Sequence, residues 1–72
     1  MPKLPAVKPK EVVLALKMID FIEMRKKGSH LQMKKGNLLV TIPMHNKDLS
    51  PETLKSILRQ AKLSVDEFIE LL

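Results

Sequence analysis

Apolar residues recur every three or four positions in two parts of the chain and alternate with polar residues in the part between them. The first helical segment begins with Pro9 in its first turn, where a missing N–H group costs no hydrogen bond, and extends to about Ile19. Its apolar stripe is wider than one core-facing side requires, because Leu14 and Met18 lie beside the main row. The pattern therefore predicts an amphipathic helix that is covered from more than one side.

Two glycine-containing dipeptides divide the alternating segment into three predicted strands. Gly36-Asn37 is typical of a two-residue hairpin loop, because glycine readily adopts the positive φ that such a loop requires. Gly28-Ser29, if it forms a second loop of this kind, places Lys27 opposite His30. The segment is therefore predicted to be an antiparallel meander, which ends at Pro43 because proline cannot donate to a strand ladder.

This register gives the meander two different faces, since neighbouring residues in a strand point to opposite sides. In the first strand it places Met24 opposite Met33 and Glu23 opposite Lys34. The face directed at the helices is expected to hold Ile22, Met24, Leu31, Met33, Val40 and Ile42. The outer face is expected to hold Arg25, Lys27, His30, Gln32, Lys34 and Thr41. Leu39 is an apolar residue on this polar face, and a second protein chain is the candidate to cover its side chain.

The remaining residues predict two more helices. Ser50 as N-cap, followed by Pro51, starts a second helix that should end near Lys62. The sequence Ser64-Val65-Asp66-Glu67 is a capping box for a short third helix. We therefore predict an α+β protein with the order α-β-β-β-α and a short C-terminal helix, formed by one domain over residues 8–72 after a flexible leader over residues 1–7.

Length and composition exclude several classes of protein. A domain of 72 residues rarely obtains more than about 3–5 kcal/mol of net stability from its core. The absence of cysteine excludes disulfides and thiol catalysis, and two histidines without an obvious carboxylate partner predict no metal site and no cofactor. No apolar run approaches the roughly 18 residues of a membrane span, so we expect a cytoplasmic protein without a membrane partner.

The distribution of charge says more than the net charge of +5. Residues 24–47 hold six Lys or Arg and no Asp or Glu, whereas residues 63–72 hold three acidic residues and no basic one. Such a basic segment is either a solvated surface or a site for a polyanion. Only two aromatic residues, both Phe, are present, so stacking of bases on aromatic rings has little support.

The tripeptide Gly28-Ser29-His30 places an imidazole directly after the basic run Arg25-Lys26-Lys27. An imidazole can accept or donate a proton near neutral pH, while neighbouring Lys and Arg attract phosphate and stabilise charge on it. His30 is therefore the candidate catalytic residue, and the alternative is an exposed turn histidine without a role. A loop histidine such as His45 is more typical of a surface or hydrogen-bonding residue.

Several motifs together resemble the HicA toxins of prokaryotic toxin–antitoxin pairs. They are Phe21, Gly28-Ser29-His30, the strand Val40-Thr41-Ile42-Pro43 with His45, the helical segment 53–61 and the closing segment 63–68. The resemblance extends over nearly the whole chain from Lys8. It implies a fold like the double-stranded-RNA-binding domain, cleavage of mRNA by the histidine of the tripeptide, here His30, and neutralisation by a HicB-like antitoxin protein.

The RNA-binding residues expected with this activity are Arg25, Lys26, Lys27, Gly28, Ser29, Gln32 and Lys34. Three positions depart from the family pattern, since Asp20 and Lys62 replace glycines and Leu31 replaces a common second histidine. A non-glycine residue in the left-handed conformation costs of order 1 kcal/mol. Two other classes of function remain open, namely a non-catalytic RNA-binding module and an inactive homologue that only binds the antitoxin.

Overall fold

The computed structural model describes residues 4–72, in which three helices and three strands follow the predicted order. The elements are α1 (Pro9–Met18), β1 (Ile22–Lys27), β2 (His30–Lys35), β3 (Leu38–Pro43), α2 (Pro51–Gln60) and α3 (Val65–Glu70). The strands form one antiparallel sheet in the order β1-β2-β3. The α+β fold with an α-β-β-β-α order is therefore confirmed.

Both predicted hairpin loops are present. Gly28 and Gly36 have φ of 60° and 57°, and each occupies the first position of its two-residue loop, as in a type II′ turn. The second loop pairs Met33 with Val40, and the first pairs Lys27 with His30. The two glycines therefore fix the register of β2 against both of its neighbours at the loop ends.

The core lies between one face of the sheet and the helices. That face contributes Leu31, Met33, Val40 and Ile42, which are at most 5% exposed. The buried helix residues are Pro9, Val12, Val13, Ala15 and Leu16 of α1, Leu54, Ile57 and Leu58 of α2, and Phe68 of α3. All four sheet residues belong to β2 and β3, so the helices cover these two strands.

Strand β1 differs from the prediction in both register and burial. Glu23, and not Met24, lies opposite Met33, because a β-bulge falls between Glu23 and Arg25. Ile22 and Met24 are 59% and 52% exposed, and every residue of β1 is exposed. The placement of these two residues in the core was therefore wrong. β1 is an edge strand that the helices do not cover, and an edge strand accommodates a bulge easily because it pairs on one side only.

The outer side of α1 also differs from the prediction. Leu14 and Met18 are 58% and 67% exposed, although the wide apolar stripe predicted a second cover for this helix. They line a shallow groove with Ala15 and the C-terminal residues Leu71 and Leu72. Within residues 4–72, α1 is thus packed on one side, against the core.

Both long helices end in the same hydrogen-bonded motif, in which a left-handed residue turns the chain. After α1, the amide of Asp20 donates to the carbonyl of Lys17 and that of Phe21 donates to Leu16. After α2, Lys62 and Leu63 repeat these bonds, and φ is 75° at Asp20 and 59° at Lys62. This is the Schellman arrangement, which usually has glycine at the left-handed position.

The caps and the N-terminal segment complete the packing. The hydroxyl of Ser50 accepts a hydrogen bond from the amide of Thr53, and Ser64 forms the predicted capping box of α3. Val7 is 2% exposed, and its carbonyl accepts a hydrogen bond from the amide of Leu49. Val7 is the last residue of the leader predicted over residues 1–7, of which residues 1–3 lie outside the described part of the chain.

Candidate nucleic-acid interface

His30 is the first residue of β2, and its side chain is exposed on the outer face of the sheet. Lys27 lies opposite it in β1 and Pro43 opposite it in β3. Residues that face each other across a ladder have Cβ atoms about 4.5–5.5 Å apart. The imidazole therefore has one basic neighbour and one apolar neighbour, and both are held by backbone pairing.

The rest of the outer face extends this basic surface along the strands. Arg25 pairs with Gln32, and Lys34 lies between Ile22 and Leu39. Because residues that pair directly share a face, these side chains lie on the same side of the sheet as His30. Arg25, Lys27, Gln32 and Lys34, all predicted to bind RNA, are thus brought together with the candidate catalytic residue.

The bulge in β1 keeps a carboxylate off this face. The prediction placed Glu23 opposite Lys34 on the outer side, but in the structure it lies opposite Met33 on the helix side. There its carboxylate forms an ion pair with the ammonium group of Lys17 in α1. Glu23 is the single acidic residue of residues 22–43, so the outer face carries only basic and neutral side chains.

Lys26 points away from this surface, because it pairs with the buried Leu31 and not with a residue of the outer face. It borders a cleft of about 460 Å³, which we call the basic cleft. The cleft is lined by Lys8, Lys10, Lys26, Met44, His45 and Asn46. The predicted RNA-binding residues therefore lie on two sides of the sheet, and the turn Gly28-Ser29 lies between them.

The loop after β3 is attached to that turn by a backbone hydrogen bond. The amide of Met44 donates to the carbonyl of Ser29 at 2.5 Å, which brings His45 close to the Gly28-Ser29 turn. The Nδ1 atom of His45 accepts a hydrogen bond from the amide of Lys47 at 3.2 Å. The second histidine thus belongs to the basic cleft and not to the outer face.

The outer face has the groups for proton transfer and phosphate binding and, within residues 4–72, a single imidazole. Leu31, the next residue of β2, is 5% exposed and faces the core, so it adds nothing to the outer face. No group of three His, Asp or Glu side chains in the described residues is placed to hold a metal ion. In the same part of the chain no helix is long and apolar enough to cross a membrane.

Sequence reasoning missed two of the cleft residues, Lys8 and Lys10. They flank Pro9 at the start of α1, far in sequence from the basic segment at residues 24–47. A signal was available, since two lysines around the first helical proline put positive charge at one end of the helix. The sequence does not show where this end of α1 lies, and the fold places it beside the helix side of β1.

The comparisons with known proteins support a family assignment. A family model described as the HicA toxin of bacterial toxin–antitoxin systems matches residues 9–63 of the 72 residues. The match includes α1, the whole sheet and α2, and ends before α3. A search of curated proteins gave no match.

Proposed function

The chain belongs to the HicA family of toxins from bacterial toxin–antitoxin systems, and we propose that it is an endoribonuclease that cleaves mRNA with His30 as its catalytic residue. As a toxin of such a system it has an antitoxin partner. The observation that carries the proposal is the outer face itself. It presents one exposed imidazole beside Lys27, on a surface that holds further cations and no carboxylate.

The reaction proposed is attack of a ribose 2′-hydroxyl on the adjacent phosphorus. His30 removes the hydroxyl proton as the new oxygen–phosphorus bond forms, and the bond to the 5′-oxygen of the next nucleotide breaks. The protonated imidazole can then return a proton to that leaving oxygen. Proton transfer of this kind contributes about 10²–10⁴-fold to the rate. Lys27, held opposite His30, stabilises the negative charge that develops on the phosphate oxygens.

Two variants test this assignment with a matched control. His30→Ala should reduce cleavage of a long RNA by about 100-fold or more. Because His30 is exposed, its loss should change the stability by no more than about 0.5 kcal/mol. His45→Ala removes the other histidine and should reduce cleavage far less than His30→Ala does. Equal cleavage by the wild type and His30→Ala would disprove the catalytic role of His30.

A substrate with a single 2′-deoxyribose separates the chemical step from binding. If the 2′-hydroxyl is the nucleophile, cleavage should stop at the modified nucleotide while the affinity for the strand stays the same. Cleavage at the deoxyribose would exclude this nucleophile. A wild-type protein that binds RNA and cleaves none of it would favour the alternative of a non-catalytic RNA-binding module. The outer face bears on this alternative because it has a single imidazole for proton transfer.

We further propose that a HicB-like antitoxin covers the outer face. Leu39 and Ile22 are 50% and 59% exposed and lie on this face on either side of Lys34. Exposed apolar residues beside cations suit a partner with acidic and apolar groups. RNA and antitoxin should then exclude each other, and Lys34→Glu should slow antitoxin association at low salt. A ternary complex with uncleaved RNA would show that inhibition acts from another surface.

A further inference from the structure

The basic cleft is a group of basic and polar residues that lies apart from the outer face. Three elements form it: the start of α1 with Lys8 and Lys10, the helix side of β1 with Lys26, and the loop after β3 with His45 and Asn46. Its volume of about 460 Å³ falls within the roughly 300–1,000 Å³ typical of ligand sites. It is thus a concave site built by residues that are distant in sequence.

The charge of the cleft is unbalanced. Its lining contains three lysines and no carboxylate. The ion pair found among residues 4–72 joins Lys17 and Glu23, so the ammonium groups of the cleft have no acidic partner in that part of the chain. Like charges held in one concavity repel each other, and a bound anion offsets this repulsion. The ligand expected here is therefore an anion.

The polar groups of the cleft are donors suited to phosphate oxygens. His45 already uses Nδ1 to accept the amide hydrogen of Lys47, so its neutral ring carries the proton on Nε2 and can donate it. Asn46 adds a side-chain amide. At the start of α1, the backbone amide of Lys8 is not a free donor of this kind, because it already donates to the carboxylate of Glu11. Lysine, imidazole and amide donors together favour a phosphate group.

The cleft is continuous with the outer face around the Gly28-Ser29 turn. Lys26 and Lys27 are neighbours in β1 and point to opposite sides of the sheet, the first to the cleft and the second to His30. The bond from the Met44 amide to the Ser29 carbonyl fixes the cleft loop against the same turn. A nucleic-acid strand that passes over this turn therefore meets cations on both sides of it.

From this geometry we propose that the basic cleft binds a second backbone phosphate of the RNA strand whose scissile phosphate lies at His30. The inference rests on the proposed function, because it takes RNA as the ligand of the outer face. The cleft would position the strand and would not take part in proton transfer. RNA too short to extend over the Gly28-Ser29 turn would bind more weakly and be cleaved more slowly.

The experiment measures binding in a protein that does not cleave. On a His30→Ala background, Lys10→Gln removes one cleft cation from an exposed helix position, and Lys55→Gln removes a cation from the exposed side of α2 as the control. Glutamine has nearly the helix propensity of lysine, so neither change should disturb its helix. Affinity for a single-stranded RNA is measured by fluorescence anisotropy over a range of salt concentrations.

Lys10→Gln should weaken RNA binding by about tenfold, as expected for loss of a hydrogen bond to a charged group. The slope of log affinity against log salt should become shallower by about 0.7, the contribution of one phosphate contact on a single strand. Lys55→Gln should leave the slope unchanged. Equal losses in the two variants would overturn the proposal, since net charge alone would then account for both.

A second readout distinguishes RNA from free phosphate as the source of the anion. Amide chemical shifts of Lys10, Lys26 and His45 should change when RNA is added, and inorganic phosphate should reproduce them only weakly. Tight binding of inorganic phosphate that RNA fails to displace would overturn the RNA assignment. If the wild type binds RNA without cleaving it, the proposed function fails while the loss in Lys10→Gln still reports on the cleft.

Discussion

The left-handed residue that ends α2 offers a test of the physical reasoning at one position. Lys62 has a φ of 59°, and its amide donates to the carbonyl of Arg59 while the next amide, of Leu63, donates to Leu58. A side chain with a Cβ atom is strained in this conformation, and glycine is not. Lys62→Gly should therefore stabilise the protein without changing a contact in the core.

The magnitude follows from two opposing terms. Removing the left-handed strain contributes of order 1–2 kcal/mol, and the greater freedom of glycine in the unfolded chain costs about 0.5–1 kcal/mol. The net gain is about 0.5–1 kcal/mol, which for a domain of this length corresponds to a rise in melting temperature of about 2–8 °C. Asp20→Gly should gain less, because Asp tolerates positive φ better than Lys does.

Two controls isolate the conformational term. Lys62→Ala removes the same charge but keeps the Cβ atom, so it should not stabilise the protein. Lys55→Gly makes the same substitution in the middle of α2, where glycine costs about 1 kcal/mol, and should lower the melting temperature. Thermal and urea unfolding of the four proteins give the comparison. A melting temperature of Lys62→Gly at or below that of Lys62→Ala would refute the reasoning.

Three further predictions follow from other local features. Hydrogen bonds from the backbone and side chain of Ser64 lower the pKa of Glu67 from its ordinary value. The stabilisation from these bonds is therefore present above the unfolded-state pKa and is lost as pH falls through the folded-state pKa. Glu67→Gln should make the free energy of unfolding, measured in urea between pH 6 and 3, fall less with pH. Gly28→Ala should lower the free energy of unfolding by about 1 kcal/mol because its φ of 60° is strained for alanine, while the added Cβ atom meets no atom within 4 Å. A much larger loss of stability in thermal unfolding would show that the Cβ atom does meet a neighbour. The outer face is expected to make about three to five phosphate contacts, so a plot of log affinity for single-stranded RNA against log salt concentration should have a slope of about −2 to −3.5. Lys27→Gln should reduce the magnitude of this slope by about 0.7. Binding that does not depend on salt would argue against this surface.

The hairpins could be predicted from the sequence because their determinants are local. A glycine in the first position of each loop fixes which residues pair at the loop ends, and Lys27 opposite His30 follows from that alone. The helix starts were predictable for the same reason, since Ser50 and Ser64 cap the helices that follow them. Local signals alone therefore place His30 on the outer face, where the structure has it.

The burial of β1 and α1 was not predictable from local pattern, because it depends on how far the helices extend across the sheet. Ile22 and Met24 alternate as core residues do, yet they lie in an edge strand that no helix covers. Leu14 and Met18 widen the apolar stripe of α1, but no second layer lies over them in the described residues. An apolar residue at the expected period shows that burial is favourable and does not show that a partner is within reach.

The bulge in β1 connects this error in register to the chemistry of the outer face. An uninterrupted pairing would put Glu23 beside Lys34 on the side of His30, where its carboxylate would repel phosphate. With one extra residue, Met24, in the strand, Glu23 lies on the other side of the sheet and pairs with Lys17, while Arg25 and Lys27 stay beside Gln32 and His30. Bulges redirect side chains in edge strands. Met24 is exposed and apolar, and it acts here as the extra residue of the bulge. It separates the one acidic residue of the sheet from the face that we propose binds and cleaves RNA.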